Sequence, residues 1–239
     1  MSMDMRISGS GKIPAGEYGH VSVSGSGRLS GLVRCDTFSS SGSSKGGSMA
    51  CKESFRVSGS SSFSESVSAG SVGVSGAFSC GGDLTAVEKI SCSGSVRCKG
   101  NVKSDQLSVS GVLTADGDAE AEEIRVHGCI NCGGLLNAET LEIRFKQGMS
   151  IGSIGGSRIQ IIREKNRVFR LFWRWHESLD RITVASAVEG DEIILEYVTC
   201  PRVTGRAVTI GAGCKIDLVQ YSETVEISPD AKVGKTEKV

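Results

Sequence analysis

The sequence predicts an all-β fold, a single-stranded solenoid that winds as a parallel β-helix with about 17 residues per coil. The first observation behind this prediction is a glycine that recurs at intervals of about 17 residues along the first half of the chain. These glycines are Gly25, Gly42, Gly59, Gly76, Gly94, Gly111 and Gly128. Self-similarity at a fixed short period indicates a stacked repeat architecture.

The second observation is an apolar column four residues before each glycine. It holds Val21, Phe38, Phe55, Val72, Ile90, Leu107 and Ile124. The remaining inward positions fall in pairs two residues apart, and the count from Gly42 places Ala50 among them. Because side chains alternate across a strand, each pair marks a short strand with one buried face. Three such strands close one triangular coil, and each coil stacks about 4.8 Å on the previous one.

Composition agrees with this fold and restricts the function. Aromatic residues make up only 5% of the chain, which suits a narrow axial core. The 27 basic and 27 acidic residues cancel, so no net field attracts nucleic acid. The glycine-rich stretch Gly25–Gly31 does not match a phosphate-binding loop, so we expect no nucleotide. No apolar run of about 18 residues is present, and Met1–Lys12 does not resemble a signal peptide, so we expect a cytoplasmic protein.

Nine cysteines without a signal peptide are interpreted as free thiols. Cys80, Cys98 and Cys132 share one inward column and are expected to be buried, whereas Cys129 is expected to lean outward. A lone CxxC at Cys129 and Cys132 lacks the four ligands of structural zinc. His127 has no third group that would orient it as a base for Cys129. We therefore expect no catalytic residue, no metal and no cofactor, and hence no enzyme.

The repeats predict three regions. Residues 1–145 form the first β-helix array, residues 146–181 form an irregular segment, and residues 182–239 continue the β-helix into a short polar tail, since Val208 and Val225 are again one period apart. The irregular segment carries a basic and aromatic insertion at 163–180. It contains Phe169, Arg170, Phe172, Trp173, Arg174 and Trp175. This insertion either packs over one solenoid face or docks a membrane or a partner protein.

The Val-Ser-Gly repeats, together with Glu189–Glu196 and Val208–Cys214, resemble the polymer-forming cytoskeletal family called bactofilins, in the longer form of Gram-positive bacteria. The resemblance covers nearly the whole chain. It implies a right-handed triangular β-helix that polymerises end to end without nucleotide. The filaments would be cytoplasmic scaffolds for cell shape, polar organisation or motility, and a bactofilin paralogue would be a possible partner for co-assembly.

Many members of that family also carry a short membrane-targeting peptide at the N-terminus. Met1–Arg6 does not resemble that peptide. Membrane association would then depend on Phe169–Trp175, as peripheral contact with lipid or with a membrane protein.

Polymerisation also has a physical basis, because an uncapped solenoid exposes strand edges that template pairing with another chain. Only Met1–Arg6 and Lys235–Val239 are left as caps. The candidate polymer contacts are Ile7, Val21 and Val23 at one end and Val225, Ile227 and Val233 at the other. The sequence does not decide whether like or unlike ends join.

Three alternatives stay open at this stage. An internal step of about six residues and Val208–Gly213 are similar to left-handed β-helix acyltransferases. The acidic run Asp116–Glu123 is weaker support for a right-handed β-helix enzyme that cleaves polysaccharide, because alternation places most of it on a solvated surface. An adaptor that does not self-assemble shares every feature with the scaffold.

Overall fold

The structure is a computed structural model that describes residues 3–164 and 181–239. It divides into two compact units, the first ending at Ala119 and the second beginning at Glu120. The strands of the first unit are β1 (Met3–Ile7), β2 (Ser10–Ile13), β3 (Gly16–Val23), β4 (Ser26–Leu29), β5 (Leu32–Ser40), β6 (Ser43–Gly46), β7 (Ser48–Val57), β8 (Ser60–Phe63), β9 (Val67–Val74), β10 (Ala77–Cys80), β11 (Leu84–Cys92), β12 (Ser95–Cys98), β13 (Val102–Lys103), β14 (Gln106–Val109) and β15 (Val112–Ala115). The second unit contains β16 (Ala119–Val126, whose first residue precedes the division), β17 (Cys129–Phe145), β18 (Met149–Arg163), β19 (Ile182–Val184), β20 (Ala187–Leu195), β21 (Val198–Ile210), β22 (Lys215–Ile227) and β23 (Lys232–Lys238).

The strands form parallel ladders between successive turns. In the first unit Phe38 of β5 pairs with Phe55 of β7, and in the second unit Val208 of β21 pairs with Val225 of β22, each one period further along the chain. The chain is thus an all-β parallel β-solenoid of about 13 turns with about 17 residues per turn, as the sequence predicts. The right-handed sense of winding stays a prediction.

The apolar column is the centre of the core in the first unit. Phe38 and Phe55 are fully buried, and their rings stack with centroids 4.9 Å apart. Phe63 and Phe78 meet the Phe55 ring edge-on, at 5.7 and 5.2 Å. Four of the seven phenylalanines therefore form one cluster of packed rings in the first unit.

Close approach of stacked backbones explains the periodic glycine. A Cβ atom added at Gly76 would overlap the carbonyl oxygens of Gly59 and Ser58 in the preceding turn, and an equivalent overlap recurs at the corner glycines from Gly25 to Gly111. No side chain fits between the two backbones at this corner. Gly31, six residues after Gly25, differs because its φ of 65° lies in the left-handed region.

Three details differ from the sequence analysis. Met49, rather than Ala50, is the buried partner of Val33, since the turn between them is shorter than the period by a single residue. Cys129 does not lean outward; it is buried together with Cys132. Residues 149–163, within the segment expected to be irregular, form the regular strand β18, which pairs with β17. The rest of the basic and aromatic insertion, residues 165–180, lies outside the described residues.

Candidate functional site: two strand edges

The first edge is made by β1 and β2. Among the described residues, β1 pairs only with β3 and β2 only with β4, so each presents one unpaired backbone edge. The apolar side chains behind this edge are nevertheless covered, because Ile7 and Ile13 are buried. The carboxylate of Asp4 accepts a hydrogen bond from the backbone N–H of His20 at 2.9 Å, which fastens β1 to β3.

Two of the predicted contact residues lie one rung behind this edge. Val21 and Val23 belong to β3, which pairs with β1 on one side and with β5 on the other. Both valines are buried, and Met5 and Ile7 of β1 stand in front of them. Of the three candidates at this end, only Ile7 therefore lies in the outermost rung.

The second edge is made by the end of β22 and by β23. Residues Thr224–Ile227 pair with β21 on one side and have no partner on the other side among the described residues. Ile227 is 41% exposed, and Val225 and Val233 are partly exposed. We call residues Thr224–Ile227 the open apolar edge.

Lysine residues distinguish β23 from the open apolar edge, in which the charged residue is Glu226. β23 carries Lys232, Lys235 and Lys238 along its length. Lys235 forms an ion pair with Glu237 at 2.5 Å, which raises the pKa of the lysine and lowers the pKa of the carboxyl. Lysines on an edge strand are a common protection against pairing with another chain. Val233 thus lies on a protected strand, whereas Val225 and Ile227 do not.

The other predicted site lies elsewhere in the chain. Phe169, Arg170, Phe172, Trp173, Arg174 and Trp175, the candidates for membrane or partner docking, all lie outside the described residues. Within residues 3–164 and 181–239, no three His, Cys, Asp or Glu side chains cluster as metal ligands would. The same ranges contain no helix that is long and apolar enough to span a membrane.

Comparison with known proteins identifies distant relatives. The chain is 29% identical over 107 residues to "Uncharacterized protein YhbF" of Bacillus subtilis strain 168, a match that covers 44% of this chain and 42% of the relative. It is 31% identical over 107 residues to "Uncharacterized protein YhbE" of the same organism, covering 44% of each chain. The chain thus spans less than half the length of these curated relatives. No family model matches the chain. No solved structure matches it either.

The fold and the relatives together define a β-solenoid protein that is distantly homologous to YhbE and YhbF.

Proposed function

We propose that this chain is a self-assembling scaffold, a cytoskeletal protein of the bactofilin kind that forms filaments without nucleotide and without catalysing a reaction. The observation that carries the proposal is the open apolar edge. On the side away from β21 its backbone has no ladder partner among the described residues, and its apolar side chains are partly exposed there. Such an edge adds a further strand readily, because both the backbone and the side chains gain partners.

The repeat provides a matching strand in a second copy. In the second unit Val225 and Ile227 continue the inward column of Val208 and Ile210. In the first unit Met5 and Ile7 begin the equivalent column, ahead of Val21 and Val23. If β1 of a second copy lay against the open apolar edge, Ile7 would meet Ile227 and the column would run on without a change of register.

Two arrangements of copies are compatible with strand addition at this edge. Unlike ends joined by translation give a polar filament, and like ends joined by two-fold axes give a non-polar one. The first needs both Ile7 and Ile227 at every contact. In the non-polar filament, Ile7 serves one kind of contact and Ile227 serves the other. The loss of Ile227 would then leave pairs of molecules joined through their Ile7 ends.

The cysteines support a reducing compartment. All nine are free and buried, although the Sγ atoms of Cys35 and Cys51 lie only 3.5 Å apart, where an oxidant could join them as a disulfide. Free, closely spaced thiols are typical of cytosolic proteins, so we place the scaffold in the cytoplasm. Peripheral membrane contact through Phe169–Trp175 and co-assembly with a paralogue stay predictions that accompany this proposal.

Negative-stain electron microscopy of the purified chain, without nucleotide at physiological salt, tests the proposal. We expect filaments from the unmodified chain. We expect Ile227→Asp to abolish them, because a carboxylate on the contact would be desolvated without a partner. Ile194→Asp is the matched control, since Ile194 is also 41% exposed but lies in β20, which is paired on both sides.

The outcomes separate the alternatives. Filaments that persist in Ile227→Asp would refute the assignment of the contact. Loss of filaments in both variants would point to misfolding, and circular dichroism of each variant would detect it. Uniform small particles from the unmodified chain would overturn self-assembly. That result would favour the adaptor, or the acyltransferase if the chain also bound acetyl-CoA.

A further inference from the structure

Three sulfur atoms converge in the core of the first unit. The Sγ atom of Cys35 lies 3.5 Å from Sγ of Cys51 and 3.9 Å from Sδ of Met49. The parallel ladder produces this cluster, because Cys35 of β5 pairs with Cys51 of β7 and Met49 lies two residues before Cys51 on the same face. All three side chains are buried.

The sulfurs lie at contact distance, and this spacing is also close to the one that a metal site needs. A metal–sulfur bond of about 2.3 Å places three sulfurs in a trigonal site about 4.0 Å apart. The distances from Cys35 need to grow by only a few tenths of an ångström to reach that value. Thiolate and thioether ligands together select copper(I), whereas structural zinc takes four ligands.

We propose that Cys35, Met49 and Cys51 form a binding site for copper(I). Coordination replaces the thiol protons of Cys35 and Cys51, which leave to solvent, and the thioether of Met49 gives the third bond through a lone pair. No electron is transferred, so the ion enters and stays as copper(I). The site does not depend on self-assembly.

A hydrogen bond joins the two thiols, since their Sγ atoms lie 3.5 Å apart and either thiol can donate to the other. A thiolate is the form of cysteine that binds metals, so the ion displaces both thiol protons as it binds.

A break in the ladder gives the ion a way in. The pairing of β7 with β9 shifts register between Ala50 and Ser54, so Cys51 has no partner in β9 among the described residues. Lys52 and Glu53, which follow it, are exposed. Cys51 is 7% exposed, against 2% for Cys35 and 1% for Met49, so it is the ligand of the three that solvent reaches most.

A second thiol pair is the internal control. Cys80 of β10 pairs with Cys98 of β12 in an unbroken ladder. Their Sγ atoms donate to backbone carbonyls, Cys80 to Glu65 at 3.1 Å and Cys98 to Gly82 at 3.0 Å. These thiols are stacked in the same way, but Phe78 and Val96 stand two residues before them, where the first pair has a thioether, and the ladder beside them is unbroken.

Competition with the chromophoric chelator bathocuproine disulfonate tests the proposal. Reduced full-length protein is titrated anaerobically with copper(I), and the chelator absorbance reports how much ion the protein takes. We expect one equivalent to move to the unmodified chain and none to the Cys35→Ser/Cys51→Ser variant. Cys80→Ser/Cys98→Ser should bind as the unmodified chain does.

Met49→Leu tests the third ligand with little risk to folding, because the two side chains have similar volume. We expect its affinity to fall at least about tenfold, the low end of the cost of losing a partner near a metal. An unchanged affinity would remove Met49 from the site. Equal uptake by all three variants, or none by the unmodified chain, would overturn the proposal. Thermal unfolding of each metal-free variant confirms that it is folded.

Discussion

The two units build the same ladder with different side chains. In the first unit, hydroxyls join several rungs, as in Ser62 to Ser79 at 2.9 Å, and the core holds the cluster of phenylalanine rings. In the second unit, ion pairs connect rungs on the surface, as in Arg158 to Glu192 at 3.2 Å, above a core of mainly branched aliphatic side chains. The same backbone repeat is therefore compatible with two different sets of side-chain interactions, because both units share the parallel backbone ladder.

This contrast teaches where the stability of each unit is concentrated. Ring packing removes large apolar areas from water, whereas exposed ion pairs are screened by solvent and contribute little. We expect the stability of the first unit to depend strongly on a few core side chains. We expect the stability of the second unit to depend little on any of its surface ion pairs. Measurements of unfolding in the Ile227→Asp background, which we expect not to form filaments, can test this difference.

The largest effect is expected for Phe55→Ala. The Phe55 ring touches those of Phe38, Phe63 and Phe78, so its loss should cost about 3–5 kcal/mol of unfolding free energy. Urea denaturation followed by circular dichroism measures this loss. Ile194→Ala, on the half-exposed outer face of β20, should cost far less. Similar losses for both variants would contradict the idea that the first unit depends on its ring cluster.

An intermediate effect is expected for Ser40→Val. Ser40 lies between Val23 and Val57 in an apolar column, and its buried Oγ atom has no hydrogen-bond partner among the described residues. Replacing this hydroxyl should stabilise the chain by about 1 kcal/mol, because an unsatisfied buried polar group costs about 1–3 kcal/mol.

Ser44→Val is the matched control for Ser40→Val. Ser44 is equally buried, but its Oγ atom lies 2.6 Å from Oγ of Ser61. The valine would leave the Ser61 hydroxyl without this partner, so we expect destabilisation. If both variants shifted the urea midpoint in the same direction, hydrogen bonding would not be what distinguishes the two serines.

The smallest effect is expected for the surface pair of Arg158 and Glu192. A double-mutant cycle with Arg158→Ala and Glu192→Ala should give a coupling of less than about 1 kcal/mol, because both side chains are about half exposed. Raising the salt concentration should reduce that coupling further. A coupling well above this value that resisted salt would show that the second unit does rely on its ion pairs.

Periodicity predicted the fold well but failed locally, where one turn departs from the average. The column from Val21 to Ile124 is buried throughout, as counting from the glycines requires. The same count chose Ala50 because it assumes a constant turn, whereas the turn from Val33 to Met49 is a single residue shorter and the bulge before Ser54 restores the register. Met49 and Cys51, two ligands of the proposed copper site, were missed for this reason. The only signal in the sequence that could have indicated these two residues is that both carry sulfur and lie two positions apart.

The sequence analysis chose candidate contact residues in the first and last repeats, but it did not distinguish which of them lie in the outermost rung. Val21 and Val225 occupy equivalent repeat positions, yet the first is buried behind β1 and the second is partly exposed. A repeat pattern reports which side of the strand a residue faces. It does not report how many rungs lie in front of that residue.

The sequence by itself determined the architecture of this protein, because a glycine is needed at each period wherever stacked corners leave no room for a Cβ atom, and inward positions must be apolar. Only the tertiary structure decided which strand edge is open, which thiols meet a thioether and which serine lacks a partner among the described residues. Those features depend on which side chains and strand edges neighbouring turns bring together. Where one turn is a residue shorter, as from Val33 to Met49, a different side chain enters the core while the repeat continues.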